Sequence, residues 1–415
     1  APAWRALRGL PLAEKLGKLR DAAYRAEMVR QIEADMPPLD LSQLFVLSRF
    51  EDVAYVSKHN RIFCSGEGVL PGNPAKLGLI DADEPRHTEL RRLINKGFTP
   101  RMVKRLEVAF RRITDETLDE IAARGECDFV DDIAVPLPLL LIAEMIGIRR
   151  EDRERFHEWS DAMILAQGNM GDPNAIARAV QAFGEYAAYV TEIIEARRTE
   201  PQDDLLSILV HAKDEGVLVE HEGRRARPAR LADGAEDLPL NNDELLMFCV
   251  LLLVAGNETT RNALSGAVQL LIENPSARDR LVAEPDRIPS AIEEMLRLTS
   301  PVLSFVRTAT ENTRLRDQKI EQGQKVLMLY PSANRDPRQF DDPDVLDIER
   351  HPHHLAFGIG NHFCLGANLA RMELRVAFRH LVERVEHVEL AGPPERLRSS
   401  FVGGIKRVPI RYRLR

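Results

Sequence analysis

The chain has 415 residues, 44% hydrophobic and 29% charged, with a formal net charge of −8. That much apolar sequence at so modest a charge excludes intrinsic disorder for the bulk of the chain, and 24 Gly, 25 Pro and 4 Cys exclude collagen-like and disulfide-scaffold classes. The acidic balance argues against a nucleic-acid binder, which would carry a basic surplus.

Helical signals dominate, with no internal repeat and no low-complexity tract. A mixed polar helix is expected around Glu14–Arg30, without the charged-then-apolar pattern of an export signal. Thr99-Pro100 reads as a helix cap followed by Pro at the first helical position. Beyond it Val103, Leu106, Phe110, Ile113 and Ile121 recur at helical spacing and predict one buried face. Further helices are expected across Ala175–Arg198 and Leu205–Asp214. Glu220–Pro239, rich in Arg, Asp, Gly and Pro, reads as an exposed loop or a linker.

Asn241-Asn242-Asp243-Glu244 has the form of a capping box, and helical character then runs to Asn274, where Pro275 stops it. About 33 residues at 1.5 Å per residue give a helix ~50 Å long, and its apolar first half predicts central burial. The longest apolar run, Leu245–Gly256, falls short of the roughly 18 residues of a membrane span. Lys319–Tyr330 predicts two short strands around Gly323, helical pattern resumes over Ala367–Arg384, and Val408–Leu414 alternates apolar with basic residues. The fold class is therefore mainly α with a minor β part. Length alone, at about 150 residues per domain, would suggest two or three domains.

Cys64, Cys127, Cys249 and Cys364 form no C-x-x-C pair, which points to a reducing, cytoplasmic compartment. Cys364 stands in the run Phe357-Gly358-Ile359-Gly360-Asn361-His362-Phe363-Cys364-Leu365-Gly366, just ahead of a helix. The positive end of the helix dipole favours thiolate there, and Gly358, Gly360 and Gly366 allow close backbone approach to a flat ligand. Such a thiolate could ligate iron, bind zinc with His351, His353, His354 and His362, or act as a nucleophile; an inert buried cysteine is the bland alternative. In the long helix, Ala255 and Gly256 with Thr259 four residues on leave a notch, and Thr259 can bond the carbonyl of residue 255.

The run from Phe357 to Gly366 resembles the haem-binding signature of bacterial cytochrome P450 proteins, the haem-thiolate monooxygenases. Ala255-Gly256-Asn257-Glu258-Thr259-Thr260 is similar to that family's oxygen-activation motif, about 100 residues earlier in the chain. Glu294-Met295-Leu296-Arg297 is similar to its E-x-x-R pair, with Arg350 as the expected third member. His87 to Arg91 resembles its H-x-x-x-R element, and Phe305-Val306-Arg307-Thr308 its distal arginine strand.

The resemblance spans residues 45 to 410 and implies one domain over 1–415 of triangular-prism type. Haem b would lie between the long helix and the helix after the cysteine loop, and 220–240 would be a surface insertion. Cys364 would be the axial iron ligand, in a cradle that includes Phe357, Gly358 and Gly366. His87, Arg91, Arg307 and His362 would hold the propionates. Thr259 and Glu258 would organise water and relay protons to oxygen.

By the same resemblance, Leu251, Val254, Ala255, Val302, Leu303, Phe305, Phe401 and Val402 would line the substrate pocket. Its apolar character favours a hydrophobic substrate: a steroid, terpenoid or fatty-acid-like molecule, or else a macrolide or other secondary metabolite. Several short segments look like those of actinobacterial enzymes that oxidise sterol side chains and methyl-branched lipids. No flavin or nicotinamide fingerprint is present, so electrons would come from a ferredoxin and its reductase. The basic stripe Arg101, Lys104, Arg105, Arg111 and Arg112 could dock that partner, or be a solvated helix face. A haem-thiolate sensor would need no proton relay.

Overall fold

In the computed structural model of the chain, residues 44–70, 78–98, 100–168, 173–211, 242–397, 399 and 401–415 are described, with scattered positions between 14 and 30. In chain order the α-helices longer than the four-residue turn Tyr330–Ala333 are α1 (Phe50–Lys58), α2 (Arg86–Asn95), α3 (Pro100–Ile121), α4 (Pro136–Ile146), α5 (Arg153–Gly168), α6 (Pro173–Thr199) and α7 (Leu205–His211). They continue as α8 (Asn242–Leu251), α9 (Asn257–Glu273), α10 (Pro275–Ala283), α11 (Ile288–Thr299) and α12 (Ala367–Arg384). The strands are β1 (Leu44–Leu47), β2 (Phe63–Cys64), β3 (Glu126–Asp128), β4 (Ser304–Ala309), β5 (Thr313–Leu315), β6 (Gln318–Ile320) and β7 (Lys325–Leu329). The last four are β8 (Val385–Leu390), β9 (Glu395–Arg396), β10 (Ile405–Arg407) and β11 (Pro409–Leu414). The Thr99 cap, the Asn241 cap position and the 220–240 loop lie outside the described residues.

The chain divides into two compact units, residues 1–39, 72–99 and 143–254 in the first and 40–71, 100–142 and 255–415 in the second. In the first unit α5 packs on α6, and α6 on α7 and α8. Tyr186, fully buried on α6, donates its hydroxyl to the carbonyl of Cys249 on α8 at 3.0 Å. The end of α6 is pinned to the start of α7 by a buried ion pair, Arg197 Nε to Asp204 Oδ2 at 2.6 Å. Gly147, at φ +82°, lies where a Cβ would strike both partners of that pair.

In the second unit α12 packs on α3, α9 and α11. The predicted apolar face of α3 is real: Leu106, Phe110 and Ile113 are fully buried and Ile121 nearly so, with Val103 half-buried at its edge. The expected long helix is α8 and α9 joined through a π-helical segment, Leu252–Gly256. It ends where Pro275 opens α10.

Among the described residues four small sheets complete this unit. The largest has strand order β1-β7-β4-β2, with β1 parallel to β7 and the other pairs antiparallel. The two strands expected around Gly323 are β6 and β7, but they do not pair with each other: β6 pairs with β5, and β7 with β4 and β1. β11 lies between β3 and β8.

Candidate active site

The cysteine loop connects the largest sheet to α12. Its backbone closes on itself, with Gly358 N bonded to the carbonyl of Leu355 at 2.9 Å and Cys364 N to that of Phe357 at 2.9 Å. Gly358 and Gly360 have φ of +67° and +81°, a region that side chains with a Cβ avoid. Gly360 has a second reason: a Cβ there would stand 2.5 Å from the carbonyl oxygen of Ser57 at the end of α1. Ile359 packs on the core under the sheet, against which Phe305 also packs. His362 is fixed by a hydrogen bond between Nε2 and Ser65 Oγ at 3.2 Å.

The four cysteines separate by environment. Burial pushes the thiols of Cys127 and Cys249 up to about 12, which keeps them protonated and inert. Cys364 is exposed, with Phe363 beside it 38% exposed. An exposed thiol on a glycine loop, next to an exposed aromatic side chain, fits a flat apolar group bound through sulfur. The zinc alternative does not fit. His354 turns to Glu293 and His362 to Ser65, and among the described residues no three His, Cys, Asp or Glu side chains gather as metal ligands.

On the π-helical segment Ala255 is exposed, and Gly256 holds Ile142 so close that a Cβ would meet it at 3.1 Å. Thr259 donates Oγ1–H to the carbonyl of Ala255 at 2.6 Å, the back-bond expected from their spacing. Glu258 is 4% exposed and accepts from Arg261 at 2.6 Å and from Asn262 Nδ2 at 2.9 Å. Asn262 Oδ1 in turn accepts Ile405 N at 3.2 Å, tying the helix to β10. Leu251 and Val254 are half-buried on the first unit's share of this long helix.

Five of the predicted pocket residues meet. Val302 and Val402 form an antiparallel bridge, Leu303 N donates to the carbonyl of Phe401 at 2.8 Å, and the Phe305 and Phe401 rings lie 5.5 Å apart. Arg307, on the same strand as Phe305, is 6% exposed.

The E-x-x-R pair is fully buried, with two 2.7 Å hydrogen bonds from Arg297 to Glu294. Arg350 joins it through Nε to Glu294 Oε1 at 3.2 Å, the expected third member. The same spacing at Glu27 and Arg30 gives only an exposed pair. Arg297 also bonds the carbonyl of Asn334 at 2.7 Å, and Asn334 Oδ1 accepts Leu355 N at 2.7 Å. The network therefore reaches the first turn of the cysteine loop.

His87 and Arg91 lie on α2 in the first unit. His87 is 2% exposed, and burial lowers its pKa against the opposing pull of Glu84. On α3, Arg101 and Lys104 are exposed, whereas Arg111 and Arg112 pair with Glu107 and Glu116 at 2.8 and 3.0 Å. Sequence reading missed Ser65, Glu293 and Arg371, which brace the loop. Glu293 meets partners 61 and 78 residues away, and no local pattern marks such pairs.

The sequence profile described as "Cytochrome P450" matches residues 41–412. A steroid C26-monooxygenase of Mycolicibacterium smegmatis is 36% identical over 388 residues, 92% of each chain. A methyl-branched lipid omega-hydroxylase of Mycobacterium bovis is 37% identical over 383 residues, 89% of this chain and 84% of that protein. The crystal structure of CYP109E1 from Bacillus megaterium in complex with testosterone superposes with a TM-score of 0.77 at 33% identity, covering 93% of this chain and 98% of that one. With the thiol loop, the helix notch and the buried glutamate–arginine network in place, the chain belongs to the cytochrome P450 family and is a haem-binding monooxygenase.

Proposed function

We propose that residues 1–415 act as one cytoplasmic domain that hydroxylates a C–H bond of a hydrophobic small molecule of the steroid, terpenoid or fatty-acid-like class. The observation that carries the substrate class is the cluster of Val302, Leu303, Phe305, Phe401 and Val402, apolar side chains with no acid or base among them. A charged substrate would leave its charge unpaired there. The names of the steroid and methyl-branched-lipid relatives support the same class.

Haem, when bound, supplies the oxidation, in which substrate, O2, two electrons and two protons give the alcohol and water. Cys364 would hold it through sulfur, cradled by Phe357, Gly358 and Gly366, and a thiolate there would supply the electron density that oxidation draws on. Arg307 and His362 would bind propionate, and His87 and Arg91 keep the propionate role that the resemblance gives them. Thr259 holds its hydroxyl proton against the Ala255 carbonyl, so its Oγ1 keeps a free lone pair that can accept a proton-bearing water. Glu258, held by Arg261 and Asn262, would share with Thr259 the ordering of water and the relay of protons. Electrons would come from a ferredoxin and its reductase.

The test is the absorption spectrum of the reduced holoprotein under carbon monoxide. The wild type should show the strongly red-shifted Soret band of thiolate-ligated haem, and Cys364→Ser should lose it. Sterols and long-chain lipids should shift the resting haem band; no shift with any apolar lipid would refute the substrate class. Thr259→Ala should consume electrons without matching product, and unchanged coupling would favour a sensor over a monooxygenase.

A further inference from the structure

A second charged cluster, separate from the E-x-x-R network, lies against the cysteine loop. Its hub is Glu293 on α11, one residue before Glu294. Arg371, one turn into α12, donates Nε to Glu293 Oε1 at 2.7 Å and Nη2 to Oε2 at 2.8 Å, a bidentate pair. His354 Nδ1 accepts the backbone N–H of Ala356 at 3.1 Å, which leaves the ring proton on Nε2, donated to Glu293 Oε2 at 3.2 Å. The two partners therefore meet one carboxylate from opposite ends of the loop.

What these partners hold is the start of the loop. The Arg371 guanidinium carbon sits 4.5 Å from the centroid of the Phe357 ring, a cation–π contact. Phe357 in turn lies 6.4 Å from the ring of Phe363 and accepts Cys364 N–H on its carbonyl at 2.9 Å. Ala356, tethered by His354, is the residue before Phe357. Every contact on the path from Glu293 to Cys364 is thus a hydrogen bond, an ion pair or a ring contact.

We propose that Glu293 is the positioning residue of the axial cysteine, fixing the Cys364 thiolate through Arg371, Phe357 and His354. The proposal rests on Cys364 being the haem ligand. Groups that orient a metal ligand from outside are worth about 10–100-fold in affinity when removed. Glu293 should belong to that class, although it touches neither haem nor substrate.

Glu293→Gln and Arg371→Lys are compared with wild type as purified holoprotein, by haem affinity and by the carbon monoxide spectrum of the reduced form. Glu293→Gln keeps the size but loses the ion pair; Arg371→Lys keeps the charge but loses the fork and the planar stack on Phe357. Both should lower haem affinity by about tenfold or more, and both should move part of the Soret intensity from the red-shifted thiolate band to the band of a protonated or displaced sulfur. A merely structural role would lower the thermal midpoint and leave the band ratio at the wild-type value, and that result overturns the proposal. Should Glu293→Gln fail to fold, Arg371→Lys decides alone by the same ratio. A wild type lacking the red-shifted band would instead sink the Cys364 reading, and this inference with it.

Discussion

Two glutamates, half-buried Glu293 on α11 and buried Glu373 on α12, show how environment decides the behaviour of one residue type. Burial alone would raise the pKa of Glu293, but hydrogen bonds from His354 and Arg371 hold it at about 2. Glu373 on α12 is 4% exposed, and its Oε2 has no partner among the described residues. Burial there acts unopposed and raises the carboxyl to about 8. The two signs have opposite consequences. Glu293 contributes stability above its unfolded pKa, lost only as pH falls toward about 2. For Glu373 the folded pKa exceeds the unfolded one, so stability is full below the ordinary carboxylate range and falls as pH rises to about 8, by at most about 1.4 kcal/mol per pH unit. Glu373→Gln removes that titration. Thermal midpoints of wild type and variant between pH 5 and pH 9 should diverge with rising pH, the variant becoming relatively more stable. Parallel curves would show that Glu373 finds a partner when it ionises.

At the scale of elements, the packing of α9 on α11 turns on a glycine. Gly266 is buried, and a Cβ there would meet Thr299 Cγ2 at 2.5 Å. Thr299 cannot rotate away freely, because its hydroxyl bonds the carbonyl of Met295 at 2.8 Å. Gly→Ala in a helix gains about 1 kcal/mol of propensity, whereas overpacking costs about 1–3 kcal/mol, so Gly266→Ala should be net destabilising. Adding Thr299→Ser deletes the clashing methyl and should restore stability to the wild-type level or above, read by denaturant midpoints. A destabilised double variant would place the obstacle elsewhere. The helices themselves were legible from sequence: α3 from its repeating apolar face, α8 and α9 from an apolar run bounded by Pro275. The strands were mostly not, because β1, β2 and β4 are held by partners far along the chain rather than by local alternation.

For the whole molecule, the electron donor is the open term, and charge on α3 makes it testable. Arg111 and Arg112 are paired with Glu107 and Glu116, whereas Arg101 and Lys104 in the first turns of α3 are exposed. Charge reversal at Arg101 and Lys104 should slow reduction by a ferredoxin and flatten its dependence on salt. Equal reversal at Arg111 and Arg112 should do less. A rate that ignores both pairs would exclude α3 as the docking face. Among the described residues no helix is long and apolar enough to cross a membrane.

The sequence by itself determined the cysteine loop, the helix notch and the mainly helical class, since each is written in residues close together. It also named the apolar side chains around Phe305 and Phe401. Tertiary structure alone decided which repeated spacing is a real network. Glu294 and Arg297 are sealed from solvent and joined by Arg350, whereas Glu27 and Arg30 lie at the surface. It alone brought Glu293, His354 and Arg371 onto the cysteine loop and Ser65 onto His362. The physical reason is range: helix periodicity and loop glycines act over a few residues, while a buried charge is stabilised by whichever partners the fold delivers from tens or hundreds of residues away.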